Sequence, residues 1–150
     1  MIRFLLDNQR WLGAGALLTL LSRFGQTFFI SIFAPALQSE LGMSASAWGL
    51  SYAVGTTASA VVMIWAGAAT DVFRVRQLGT WIMLGLAVAC LCMAAVPGAW
   101  AVPFVIFLLR FTGQGMLSHI GIVAMARWYV ASRGRALAIA GLGYAVGEAL

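Results

Sequence analysis

Uncharged apolar stretches of about twenty residues recur along this 150-residue chain, and nothing else in it narrows the fold so sharply. A hydrocarbon layer about 30 Å thick offers backbone amides no water, so a stretch of that length crosses it as a helix whose peptide groups pair internally. Four stretches are complete, 11–37, 48–70, 78–96 and 102–126, each bounded by polar residues, Gly or Pro. A fifth, 136–150, covers only about 22 Å at ~1.5 Å per residue and is still apolar at Leu150. The expectation is an all-α, polytopic membrane bundle, an amino-terminal piece of something longer, truncated in helix five.

Composition agrees with that reading. Residues are 63% hydrophobic and 9% charged, where a soluble domain is roughly a quarter charged, so a soluble globular fold is excluded. The net charge of +5 comes from nine arginines placed one to three at a time between apolar runs, which gives no basic surface for nucleic acid. Cys90 and Cys92 stand two apart on different faces of one helix, unsuited to a disulfide framework or a metal. No metal or cofactor is expected. Neither is an enzyme, since the chain has no phosphate-binding loop, no paired acids at one depth and a single histidine.

The arginines orient the spans. Arg3 and Arg10 precede span one, Arg74 and Arg76 join spans two and three, and Arg127, Arg133 and Arg135 join four and five, while the alternate connections carry none. Positive residues stay on the cytoplasmic side, so the expected protein is multi-pass in the inner (plasma) membrane with a cytoplasmic amino terminus. Trp11, Trp48, Trp81, Trp100 and Trp128 lie at span ends, as headgroup anchors do.

Three charges remain at membrane depth, Arg23, Arg110 and Glu148. An ionised group there costs several kcal/mol or more unless it faces a cavity or a partner. Helical spacing puts Thr19, Arg23, Gln26, Thr27 and Ile30 on one face of span one, and Arg110, Gln114, Leu117 and Gly121 on one face of span four, with His119 opposite. Two positives against one negative favour an anionic group, carboxylate or phosphate, so Arg23, Gln26, Arg110 and Gln114 are the expected substrate residues. The alternative, that these arginines bond carbonyls or Glu148 to hold helices together, stands beside it. Glu148, whose pKa burial would raise, is the candidate proton carrier. Small residues from Ser51 to Gly67 suggest a span two buried between helices, and uncharged span three is expected on the lipid side. A short repeat links spans one and four: Ser22-Arg23-Phe24-Gly25-Gln26 reappears as Leu109-Arg110-Phe111-Thr112-Gly113-Gln114 with one insertion, in spans of opposite direction, as an inverted repeat would.

The connection from Gly67 to Arg76 resembles the signature loop of the major facilitator superfamily, G-x-x-x-D-R-x-G-R-R/K between helices two and three. Gly67, Asp71 and Arg76 match, whereas Val72 replaces the first arginine and Arg74 stands at the usual glycine. Asp71 at a helix end can pair with a cation, Arg127 being the candidate, and latch one conformer, so Asp71, Arg74, Arg76 and Arg127 are expected at a cytoplasmic gate. Arg110 followed by Gly113-Gln114-Gly115 is similar to the family's helix-four pattern, and Arg133-Gly134-Arg135-Ala136 to its helix-five opening. Glu148 occupies the place of the proline in the helix-five motif of drug/proton antiporters, which argues against drug efflux. The resemblance implies a secondary transporter working by alternating access, with helices one and four lining a cavity, helices two and five meeting a second six-helix bundle, and helix three peripheral. Its expected partners are the lipid bilayer, a small anionic solute, protons and that missing carboxy-terminal bundle. The rival is a small oligomeric membrane channel or scaffold complete at five helices.

Overall fold

The computed structural model describes residues 2–149, with side chains from residue 4. The side chain of Arg3, one of the topogenic arginines, and the last residue of span five, Leu150, lie outside what is described. The described elements are helical: α1 (Ile2–Leu21), a 3-10 turn (Ser22–Gly25), α2 (Thr27–Glu40), α3 (Ala45–Ala66), the short α4 (Ala69–Val72), α5 (Val75–Ala94), α6 (Val102–Leu109), a π-helical segment (Arg110–Leu117), α7 (Ser118–Trp128) and α8 (Arg133–Ala149). Four stretches are long and apolar enough to cross a membrane, Phe4–Glu40, Ala45–Val72, Val75–Ala94 and Ala99–Trp128. The protein is therefore an all-α polytopic membrane bundle, and α8 adds a fifth, shorter helix.

Local chemistry sets the ends of these elements. Past α2, Gly42 takes φ +61°, and the Met43 amide bonds back to the Gln38 carbonyl at 2.9 Å, the six-to-one bond of a Schellman stop. Ser44 then caps α3, its hydroxyl accepting from the Ala47 amide at 3.2 Å. Pro103 enters span four in the first turn of α6, where its missing N–H costs nothing.

Span four is the hub. Half of its most apolar window is buried, against 17–22% for the other three. One core cluster joins Leu18 and Ile30 of span one, Leu86 and Ala89 of α5, and Val105, Leu109, Met116, Leu117 and Ile120 of span four. A second joins Leu12 of α1, Ala124 and Met125 of α7, Tyr129, and Ala136 and Ala140 of α8. Glycine brings α8 onto α1. A methyl on Gly143 would overlap the Thr19 hydroxyl and the Ala16 carbonyl, and one on Gly147 would sit 3.4 Å from the Arg23 Cβ. Thr19, fully buried, donates to the Ala140 carbonyl at 2.6 Å across the same crossing.

Two expectations fail here. Span two is not buried between helices: within α3 only Gly55 and Ser59 are buried, while Val54, Val61, Ile64 and Trp65 are exposed. Its one packed side lies along span four, Gly55 against the Pro103 carbonyl and Ile106 of α6 and Met63 against Gly115 of the π segment, with Tyr52 reaching Thr27 of α2. The polar stripe of span one is not one face either. The 3-10 turn and an extended Gln26 (φ −79°, ψ 155°) reset the helical phase, so Thr19 turns to α8 whereas Ile30 turns into the core with α5 and span four.

Candidate functional site

Both central spans lose regular α-helix at the same place. In span one the Ser22 hydroxyl bonds its own helix at the Thr19 carbonyl, 2.6 Å away, and the chain tightens into the 3-10 turn. In span four the backbone widens into the π segment, a rare form that is frequent at functional sites. These irregular pieces pack on each other through the glycines of the short repeat. A methyl built on Gly25 would stand 2.5 Å from the Gln114 amide nitrogen and 2.8 Å from the Gly113 Cα, and one on Gly113 would stand 2.6 Å from both the Cα and the nitrogen of Gly25. The two copies of the motif thus touch at their equivalent residues.

Arg110, half-buried, reaches from span four across to span one. Its Nη1 donates to the Thr27 hydroxyl at 3.1 Å and, at longer range, to the Gly25 carbonyl at 3.4 Å. The guanidinium lies 5.7 Å from the centre of the Tyr52 ring of α3, and the Tyr52 hydroxyl donates to the same Thr27 oxygen at 2.9 Å. Three spans therefore meet at one polar node. Nε and Nη2, the edge that matches a carboxylate or phosphate, have no hydrogen-bond partner among the described residues. Thr27 opens α2, and Gln26 before it gives no side-chain cap, so the positive end of this helix starts at the node without a side-chain acceptor from its N-cap.

The other expected site residues stand nearby or apart. Gln114 has its side-chain oxygen buried without a partner. Arg23 also has a buried, unpartnered Nε, with its guanidinium 5.8 Å from the Phe28 ring centre and its stem along Gly147 of α8. Gln26 contributes the extended link between the 3-10 turn and α2. Glu148 is exposed on α8, and among the described residues no carboxylate lies within 4.0 Å of Arg23 or Arg110.

The π segment overturns one sequence expectation. On an ideal α-helix His119 opposes Arg110, yet the residues of span four that face α3 and its end are Pro103, Ile106, Arg110, Gly115 and His119. The step from Arg110 to Gly115 is five residues, the π spacing, and it brings His119 round to the Arg110 side, where its Nε2 lies 3.7 Å from a methyl built on Gly67. Leu117 and Gly121 instead pack in the core, Gly121 against Thr19 and Leu18. Tyr52 and Thr56 were missed from sequence, and His119 was set on the wrong side. Tyr52 and Thr56 one turn apart in a small-residue run were a usable signal, and the buried Thr56 hydroxyl has no partner, whereas the π shift carried no signal at all.

At the arginine-bearing end, Arg127 forms an ion pair with Asp71 and donates to the Thr70 carbonyl at 2.6 Å. The pair ties α7 to α4, so the loop after span two is fastened to the end of span four. Arg74 and Arg76 are exposed and have no side-chain partner among the described residues.

A family model described as Major Facilitator Superfamily matches residues 15–150. No curated protein and no solved structure matches the chain.

Proposed function

We propose that this chain, which belongs to the Major Facilitator Superfamily, supplies the anion-binding half of a secondary transporter that moves a small anionic solute by alternating access. The carrying observation is the polar node: the open edge of Arg110 beside the uncapped start of α2, with no carboxylate within 4.0 Å of Arg110 among the described residues. A half-helix amino terminus and a guanidinium are each suited to carboxylate or phosphate, and discontinuous helices at mid-membrane are where transporters place such groups. Arg23 and Gln114 join the proposed binding set, since buried polar atoms without partners are costly unless a ligand or water satisfies them, and Gln26 joins it as the polar residue that precedes the start of α2.

Alternating access needs a latch and a moving boundary. Asp71 with Arg127 is the proposed latch, with Arg74 and Arg76 beside it, on the cytoplasmic side if arginine asymmetry orients the inner membrane as expected. The exposed faces of α3 and α8 are the proposed seat of a second bundle, and Glu148 on α8 is the proposed proton carrier. Arg110→Gln tests the binding set: uptake of the solute should disappear while membrane insertion persists, and Arg110→Lys should not restore it, because an ammonium lacks the planar fork. Normal uptake by Arg110→Gln refutes the site. Uptake unaffected by collapsing the proton gradient removes Glu148 from the mechanism without touching the anion site.

A further inference from the structure

A groove of about 480 Å³ opens on the outside of the bundle between α1, α5 and α7, away from the polar node. Arg10 and Trp11 of α1, Arg76 and Thr80 of α5, and Trp128 of α7 form its mouth. Leu17 and Leu18 of α1 and Met83 of α5 form its deeper wall. Arg10 to Leu17 and Arg76 to Met83 are both steps of seven residues, about 10 Å along a helix. Each helix thus carries a cation at one level and apolar side chains one acyl depth further in.

Arg10 lies twelve residues before the break at Ser22, about 18 Å along α1 and just beyond half a hydrocarbon layer. That is headgroup level, and Trp11 and Trp128, stacked edge to face at 4.8 Å, mark it as aromatic belts do. No carboxylate lines the groove, and neither arginine has a side-chain partner among the described residues. Gly79 forms the buried floor, where α5 comes into ordinary contact with α1 and α7: a methyl there would stand 3.7 Å from Leu18 and 4.0 Å from Ile120, so the groove ends on packed helices.

We infer that this groove is a binding site for an anionic phospholipid of the leaflet on the arginine-bearing side, its phosphate held between Arg10 and Arg76 and one acyl chain laid along Leu17 and Met83. Charge complementarity selects the occupant. An apolar helix would leave two guanidiniums without a counter-charge at the mouth, whereas a phospholipid supplies the anion and the hydrocarbon in the spatial order the wall presents.

The test uses the whole protein in mixed micelles with phosphatidylglycerol or phosphatidylcholine of identical chains, and counts retained lipid by native mass spectrometry. Phosphatidylglycerol should be retained preferentially. Arg10→Gln with Arg76→Gln should reduce that preference about thirtyfold, and either single change about fivefold, the weight of one or two arginines near an anionic headgroup. Arg133→Gln with Arg135→Gln, on the same membrane side, should leave retention unchanged. The assignment is overturned if the Arg10/Arg76 variants keep the preference, if the Arg133/Arg135 control loses as much, or if inorganic phosphate displaces the lipid completely.

Discussion

Replacing Gly25 by Ala adds one methyl at the tightest crossing of the bundle. That methyl would stand 2.5 Å from the Gln114 nitrogen and 2.8 Å from the Gly113 Cα, and it overlaps the Leu109 carbonyl oxygen, where non-bonded carbons rest at ~3.5–4.0 Å. Every obstructing atom is backbone, so no rotamer change relieves the clash and spans one and four must part by about 1 Å. Overpacking of this kind costs ~1–3 kcal/mol. The separation also lengthens the already long Arg110 bond to the Gly25 carbonyl, 3.4 Å, so the upper end of that range is expected. For a chain of this size that corresponds to a fall of roughly 5–10 °C in midpoint temperature. The assay is thermal unfolding in detergent, with Gly141→Ala as the control because nothing lies within 4 Å of a methyl there. Gly113→Ala strikes the same contact from the other side, so the double variant should cost less than the sum of the singles. A Gly25→Ala protein as stable as Gly141→Ala, or strictly additive singles, would refute the claim that the two repeat glycines form the crossing.

Gly143→Ala should detach α8 from α1, seen as faster proteolysis after Ser132, because the added methyl overlaps the Thr19 hydroxyl and stands 3.0 Å from the Leu20 nitrogen; Gly134→Ala in the same helix should not. Asp71→Asn should change unfolding by less than about 1 kcal/mol, since both side chains of the Asp71–Arg127 pair are largely exposed, yet slow transport if the pair is a latch; a large stability loss with normal transport would reverse that assignment. Tyr129→Phe should leave stability unchanged or raise it by up to ~1 kcal/mol near neutral pH, because the buried hydroxyl has no partner. Burial raises the Tyr129 pKa, so the native state favours the protonated phenol, and the stability it contributes should be lost above the ordinary tyrosine range, a loss that Tyr129→Phe abolishes.

Much of the architecture was legible because lipid is an unforgiving solvent. An apolar run of about twenty residues has one way to satisfy its amides, so helical spans and family membership followed from the runs and the loop from Gly67 to Arg76. The site was legible only in part. Arg110 drew attention as a charge at depth, and the motif shared with Ser22–Gln26 pointed to the segment it reaches. Its partners Thr27 and Tyr52 come from two other spans, 83 and 58 residues away in sequence, and no local pattern encodes that meeting.

What the sequence determined by itself was the class of solvent, the number of long apolar helices and the cost of each charge within them, since these depend on residue type and run length alone. Tertiary structure decided the direction of each charge. The 3-10 turn in span one and the π segment in span four change helical phase by fractions of a turn, enough to send Ile30 into the core and His119 to the Arg110 side. Periodicity assumes an unbroken helix, and here both helices break where two glycines on different spans press backbone against backbone.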